Sequence, residues 1–427
     1  MARKMKDSGI EWIGEIPEGW RTINPKALFT QRKDKAQKGE RQLTSSQQYG
    51  ILYQDDYMEL TGSKVVTVEK DFDILKHVEA GDFVISMRSF QGGLEYSTKS
   101  GAISSAYVML VPNLELVYPH FYRWLLKSSV YIDALQRTTN MVRDGQAMRY
   151  SNFAQVRLFT LPLDEQKSRA DFLDLECSSI DKILFKTRSS IEEYKKLKQA
   201  VITQAVTKGV RGEREMKNSG NPWFGQIPTD WKLSRVGLHF SIILGKMLCN
   251  APLNDTYTLE PYYCAADVHF DGVADGERKK MWFSPIEKDL YRVSVGDLLV
   301  VEGGAGAGGS AIVENQDSYT YIQNSIMIVR SKGNADNRYL RYLLEFLVKQ
   351  GYIDVVCNKA TIPHFTKDKL SCVPFCLCGE QEEIADYLDA KCAKIDGLIA
   401  KKEQLIKELE SYKKSLIYEV VTGKREV

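Results

Sequence analysis

The chain has 427 residues, 43% hydrophobic and 27% charged. That is the composition of an ordinary globular protein of two or three domains, and no apolar run approaches the ~20 residues that span a bilayer. Lys and Arg total 58 against 56 Asp and Glu, a net charge of +2, which excludes a histone-like basic coat but leaves room for local basic grooves.

The first nine residues lack an apolar signal core, so a cytoplasmic location without export is expected. Residues 5–20 then read MKDSGIEWIGEIPEGW, and residues 216–231 read MKNSGNPWFGQIPTDW. Trp12 and Trp20 recur as Trp223 and Trp231 at identical spacing, with Gly14, Ile16 and Pro17 matched between them. An internal repeat of this kind organises the whole chain. The four tryptophans are assigned to packing where each globule meets a helix, rather than to base stacking.

The first globule, about 21–160, mixes strands with short helices. Gly81-Asp82 reads as a turn into the buried strand Phe83-Val84-Ile85. After that strand come Arg88, Ser89 and Gln91, followed by Gly92-Gly93: either a base-contacting loop or a surface turn with a solvated arginine. Phe121 to Leu126 reads as a short amphipathic helix. Residues 137–157 then hold Arg137, Arg143, Arg149 and Arg157 against the single acid Asp144, with Asn140 and Gln146 interleaved. This is either a salt-sensitive phosphate-contacting stretch or an ordinary charged surface.

Past Glu165-Gln166 a long helix is expected. Ile180, Ile183, Thr187, Ser190, Tyr194, Leu197 and Val201 alternate steps of three and four, either the a/d seam of a coiled coil, which the dense Lys/Glu flanks favour, or one amphipathic face on a globular core. Ile191 and Ile202 lie outside that seam and are assigned to an outer face that binds partner subunits. The second globule repeats the first. Gly296-Asp297 leads into Leu298-Leu299-Val300, and 339–344 matches 121–126. Its candidate contacts are Lys279 and Lys280 beside Trp282, the glycine run through Gly304 and Gly306, and Asn358, Lys359, Thr361, His364 and Lys367. The glycine run lacks the Lys-Ser/Thr of a nucleotide loop; it is either a backbone-phosphate contact or a plain structural loop. A second long helix follows Glu380-Gln381, with seam positions Ile395, Leu398, Lys402, Leu405, Leu409, Tyr412 and Leu416, and outer-face positions Ile399 and Ile406.

The fold class expected is α+β. Two mixed α/β domains are joined by two long antiparallel helices forming a coiled-coil spacer, with an internal pseudo-two-fold repeat. The boundaries are 1–163 for the first globule, 164–212 for the first helix, 213–375 for the second globule and 376–427 for the second helix. If equivalent segments keep equivalent surroundings, the second helix returns to the Trp12/Trp20 element. None of the eight cysteines forms a Cys-x-x-Cys pair. Cys372, Cys376 and Cys378 would share one face of a strand, as free thiols rather than a metal site.

The duplicated Trp-x-Gly-x-Ile-Pro-x-x-Trp opening, the Leu-Pro-Leu-Asp-Glu-Gln lead-in at 161–166 and the duplicated helices resemble the specificity subunit of type I restriction–modification systems. The second lead-in, VPFCLCGEQ at 373–381, departs from the pattern. The resemblance implies a non-catalytic subunit whose two target recognition domains each read half of a split double-stranded DNA target, with the helices setting the gap. It implies two modification subunits and restriction subunits as partners, with no cofactor bound by this chain. S-adenosylmethionine, ATP and magnesium are used by those partners, in a bacterial or archaeal cytoplasm. The alternative is a coiled-coil scaffold spacing two protein-binding domains. No amino-methyltransferase tetrapeptide and no phosphate loop occurs in the chain.

Overall fold

The computed structural model describes residues 3–68, 72–86, 92–138, 148–315, 319–357 and 363–427. Two compact units emerge, Met1–Arg188 with Glu403–Val427, and Ser189–Lys402. Both divisions fall inside the long helices Leu163–Lys208 and Gln381–Val421, so each unit is a globule plus a piece of both helices.

The first unit opens with an antiparallel hairpin, Met5–Ile10 against Gly14–Pro17. Arg21–Ile23 pairs with Leu158–Thr160, which leads straight into the first long helix. Between them a four-stranded antiparallel sheet runs in the spatial order Phe29–Arg32, Val108–Pro112, Phe83–Ile85, Glu95–Tyr96. Gly81, at φ +104°, makes the expected turn, and Phe83, Val84 and Ile85 are all buried. An all-apolar strand of this kind is stable only when both faces are covered. Helix Pro119–Leu125 inserts Phe121, Tyr122 and Leu125 into the core, beside Trp20, Phe29, Phe153 and Phe159. Leu416, Val420 and Val421 of the second long helix complete that core. The second helix therefore does return to the Trp12/Trp20 element. Gly423 lies so close that a Cβ there would stand 2.6 Å from the Pro17 ring.

The second unit repeats the order. The hairpin is Met216–Asn218 with Gln226–Pro228, and Lys232–Arg235 pairs with Pro374–Leu377. The sheet runs Phe240–Leu244, Ile326–Ser331, Leu298–Val301, Ser310–Ile312. Helix Asn337–Lys349 is capped by the Asp336 carboxylate, which accepts from the Arg338 and Tyr339 N–H groups. Ile202, Ala205 and Val206 of the first long helix join Ile384, Ala385 and Leu388 of the second in this unit's core. A further sheet, Lys279–Phe283, Thr258–Tyr263 and Tyr321–Ile322, has its own small core around Met281 and Phe283.

Within each unit the helix segments run antiparallel. Asp181 meets Lys413 and Arg188 meets Glu410 in the first unit, each at 2.6 Å; Lys198 meets Asp396 at 2.6 Å in the second. The seam, however, is displaced from the expected one. The buried row is Leu173, Cys177, Ile180, Leu184, Thr187 and Ile191, ending in Ile202. Ile183 and Leu197 are 47% and 48% exposed, and Leu405 and Tyr412 are likewise outside. Every second seam position thus sits one residue later. Adjacent apolar pairs such as Ile183-Leu184, Leu398-Ile399 and Leu405-Ile406 satisfy either phase, and the globule cores choose between them.

That shift overturns the outer-face assignment of Ile191 and Ile202. Ile202 is fully buried in the second unit's core and Ile191 is buried. Ile406 packs on the first unit's core, and Ile399 is half-buried. The cysteine expectation is also corrected. Cys376 is buried on the strand Pro374–Leu377, whereas Cys372 is exposed at the end of helix Lys367–Ser371, so the three share no face.

Candidate nucleic-acid interface

Each globule is mounted on its helix through one carboxylate and one amide. In the first unit the Trp20 indole N–H donates to Glu165 at 3.1 Å, and Arg3 and Arg169 both donate to the same carboxylate. Burial pushes Glu165 up, but hydrogen bonds from Arg3, Arg169 and Trp20 outweigh it and hold the group at about 2. Gln166 beside it accepts from the Tyr118 N–H at 2.7 Å and donates to the Leu116 and Leu161 carbonyls. It thus ties the start of the long helix to the start of helix Pro119–Leu125.

In the second unit Trp231 donates to Glu380 at 2.8 Å and Arg214 donates at 2.6 Å. Gln381 accepts from the Asp336 N–H, at the corresponding helix start. Trp20 and Trp231 are fully buried. Trp12 and Trp223 pack edge-on against Tyr131 and Tyr352 at 5.7 and 5.3 Å. All four tryptophans are packing residues at the mounts, and the Glu-Gln pairs explain themselves as the polar half of those mounts.

The candidate contact residues fall further out. Arg88, Ser89 and Gln91 lie outside the described residues, as do Asn140, Arg143 and Gln146 in the first unit and Asn358, Lys359 and Thr361 in the second. Arg137 is exposed but pairs with Glu11 at 2.9 Å, which offsets part of its charge. Arg149 is exposed just before helix Tyr150–Gln155, where its backbone N–H is held by Asn152.

In the second unit two of the expected contact segments come together. Gly303 bridges to His364, the Gly304 N–H donates to the Pro363 carbonyl at 3.2 Å, and Glu302 reaches His364 at 3.4 Å. Part of the glycine run is folded onto itself, while Ala305 and Gly306 stay exposed. The N–H groups of Ala307, Gly308 and Gly309 donate to Gly304, Val301 and Gly306, and a Cβ on Gly308 would strike Val348 and Ile353 at 2.9 Å. Gly308 and Gly309 are close-packed and buried, the Gly304 amide is already committed, and the exposed Gly306 contributes its carbonyl to the same turn. Lys367 is exposed near His364 in sequence, and Lys279 and Lys280 are exposed on the separate sheet, above the buried Met281 and Phe283.

One cationic loop was not anticipated. Lys33, Lys35 and Lys38 follow strand Phe29–Arg32 and are all exposed, while Arg32 holds the nearby Asp34. The run Lys-Asp-Lys-Ala-Gln-Lys carried the signal. The corresponding loop of the second unit is apolar instead, with Met247 76% and Leu253 78% exposed.

No family model matches this chain, and no curated protein does. Solved structures do match. A chain from a study of complex assembly and conformational transition of the type I R-M system aligns with a TM-score of 0.70 at 16% identity, covering 96% of this chain and 99% of that one. The HsdS subunit from Thermoanaerobacter tengcongensis aligns with a TM-score of 0.56 at 15% identity, covering 96% and 98%. Over nearly its whole length, then, this chain has the fold of the type I restriction–modification specificity subunits, two mixed α/β units carried on two long helices.

Proposed function

We propose that this chain is the sequence-reading subunit of a type I restriction–modification complex. Each unit reads one half of a bipartite double-stranded DNA target, and the paired helices set the unread gap. The chain is not itself an enzyme. Two modification subunits supply adenine methylation with S-adenosylmethionine, and restriction subunits supply ATP- and magnesium-dependent translocation and cleavage, in the cytoplasm of a bacterial or archaeal cell.

The observation that carries this reading is the duplicated mount: the same Trp–Glu–Arg cluster and the same Gln-held helix start, within a fold shared end to end with those subunits, under loops that differ. In the first unit Lys33, Lys35, Lys38 and Arg149 are the described cations for phosphate contact, with Arg88 in the neighbouring sequence for base contact. In the second, Lys279, Lys280, His364 and Lys367 take those places. Ile191 and Ile202 are turned inward, and Ile399 and Ile406 are half-buried. The apolar side chains left outside, Leu175, Ile183 and Phe185 in the first unit and Leu197 and Tyr387 in the second, are the docking surface for the modification subunits.

The test is to co-express the chain with its modification subunit and sequence the methylated DNA. A split motif with a fixed gap and an adenine methylated in each half is expected. If no methylation and no low-salt binding to duplex DNA appear, the reading gives way to a scaffold that spaces two protein-binding domains.

A further inference from the structure

The two mounts close differently. In the second unit the long helix Leu163–Lys208 runs on through Gly209, at φ +75°, to Arg214 and the hairpin that begins at Met216. The backbone itself ties helix end to hairpin. The Gly209 N–H caps the Ala205 carbonyl at 3.0 Å, and the Val210 N–H reaches Glu380 at 3.5 Å. Four residues after Glu380 stands Ile384, a buried apolar side chain.

In the first unit the equivalent helix end, at Val421, and the equivalent hairpin, at Met5, are not consecutive in the sequence. Four residues after Glu165 stands Arg169, 1% exposed, where the second unit has Ile384. Arg169 Nη1 donates to the Val420 carbonyl at 2.8 Å and to the Arg425 carbonyl at 2.9 Å. Its Nε and Nη2 donate to Glu165 at 3.0 and 2.8 Å, and its Cζ lies over the Trp20 ring, 5.0 Å from the ring centroid. Of the two carbonyls, Val420 lies in the last turn of the helix, where it also accepts from the Gly423 N–H at 3.3 Å, and Arg425 lies four residues beyond the helix end. Arg169 makes four hydrogen bonds, two to carbonyls and two to one carboxylate oxygen; a planar guanidinium has donors for all four in a fixed fork, whereas an ammonium has three.

We propose that Arg169 is a positioning residue that closes the first unit's mount by hydrogen bonds where the backbone closes the second. It fixes the last turn of the second long helix against Glu165 and against Trp20, three residues past the hairpin. The inference does not depend on DNA reading.

The experiment is hydrogen exchange on the full chain, comparing residues 416–425 with their counterparts 201–210. With Arg169→Ile, exchange at 416–425 should rise by roughly two orders of magnitude, the scale set by removing one partner of a buried ion pair. Exchange at 201–210 should stay as it was. Arg169→Lys keeps the charge beside Glu165 and loses the fork, and should still show fast exchange at 416–425. Joining residue 427 to residue 1 through a short Gly/Ser linker supplies the missing connection, and protection should return in the joined Arg169→Ile chain. Wild-type protection in Arg169→Lys, or no recovery on joining, would overturn the proposal and leave Arg169 as a buried counter-ion only. If Arg169→Ile does not fold in the linear form, the Arg169→Lys chain, linear against joined, decides the same question.

Discussion

Asp82 in the first unit and Asp297 in the second occupy the same turn, and each accepts two hydrogen bonds from an arginine, yet the arginine comes from different strands. Arg32, on Phe29–Arg32, donates to Asp82 at 2.6 and 3.0 Å. Arg330, on Ile326–Ser331, donates to Asp297 at 2.7 and 2.6 Å. The registers place Ile243 where Arg32 stands and Val111 where Arg330 stands. A nearly buried carboxylate must be matched by a cation, but any neighbouring strand that can reach it will serve. The Trp–Glu mounts allow no such freedom, because indole, carboxylate and helix end meet at one point. Outward from the mounts the units part company, with lysines in one loop and exposed methionine and leucine in its counterpart. Geometry is kept where several buried groups converge and relaxed where one pairing suffices.

The sharpest break would come at the mounts. Trp20→Ala should cost about 3–5 kcal/mol, and so should Trp231→Ala. Each loss should appear in its own unit when unfolding is followed by segment-resolved hydrogen exchange. Loosening of the 216–231 hairpin by Trp20→Ala would contradict the division into two separately mounted units.

A pH series tests the charge held at Glu165. Glu165 titrates at about 2 in the folded chain, below its ordinary 4.5. A depressed folded value means stability that is fully present above about pH 4.5 and lost as pH falls towards 2. Because solvent reaches the group and screens it, the difference is worth about 1–2 kcal/mol rather than the full value of the shift. Glu165→Gln should flatten the acid limb of a stability-versus-pH curve measured on the first unit's signals. An unchanged limb would show that the arginines do not hold this charge.

Smaller effects test the exchanged arginines. Asp82→Asn and Asp297→Asn should each cost about 1.5–3 kcal/mol, as for hydrogen bonds to a charged group. Arg32→Ile should cost a similar amount, and adding Val111→Arg should recover part of it by building the second unit's arrangement into the first. No recovery in urea melts would mean that the strand of origin matters after all. Least visible in stability are the exposed lysines. Lys279→Ala with Lys280→Ala should leave thermal stability within about 0.5 kcal/mol. The same pair should lower the salt dependence of DNA binding by about one ion for each phosphate no longer neutralised. An unaltered slope would remove that sheet from the interface.

The repeat was legible in the sequence because buried convergence points tolerate few residue types. Trp12, Trp20, Glu165 and Gln166 found their copies by spacing alone, and so did the Gly-Asp turns and the short helices. The candidate contacts were less legible. Arg137 meets Glu11 across the fold, and Gly308 of the glycine run is packed under Val348 and Ile353. Lys33, Lys35 and Lys38 did not stand out because a charge run gives no sign of which way it faces.

By itself the sequence determined two globules, two long helices, their order and the residues that join them, since those depend on spacing and on apolar type. Only the tertiary structure decided which helix face is inside. Ile183 and Leu184 are equally apolar neighbours, so periodicity could not separate them; the cores of the globules bury Leu184 and leave Ile183 half outside. Only the tertiary structure, too, brought Arg169 to the carbonyls of Val420 and Arg425, 251 and 256 residues further along the chain. A hydrogen bond across that separation depends on how the chain closes on itself, which no local pattern encodes.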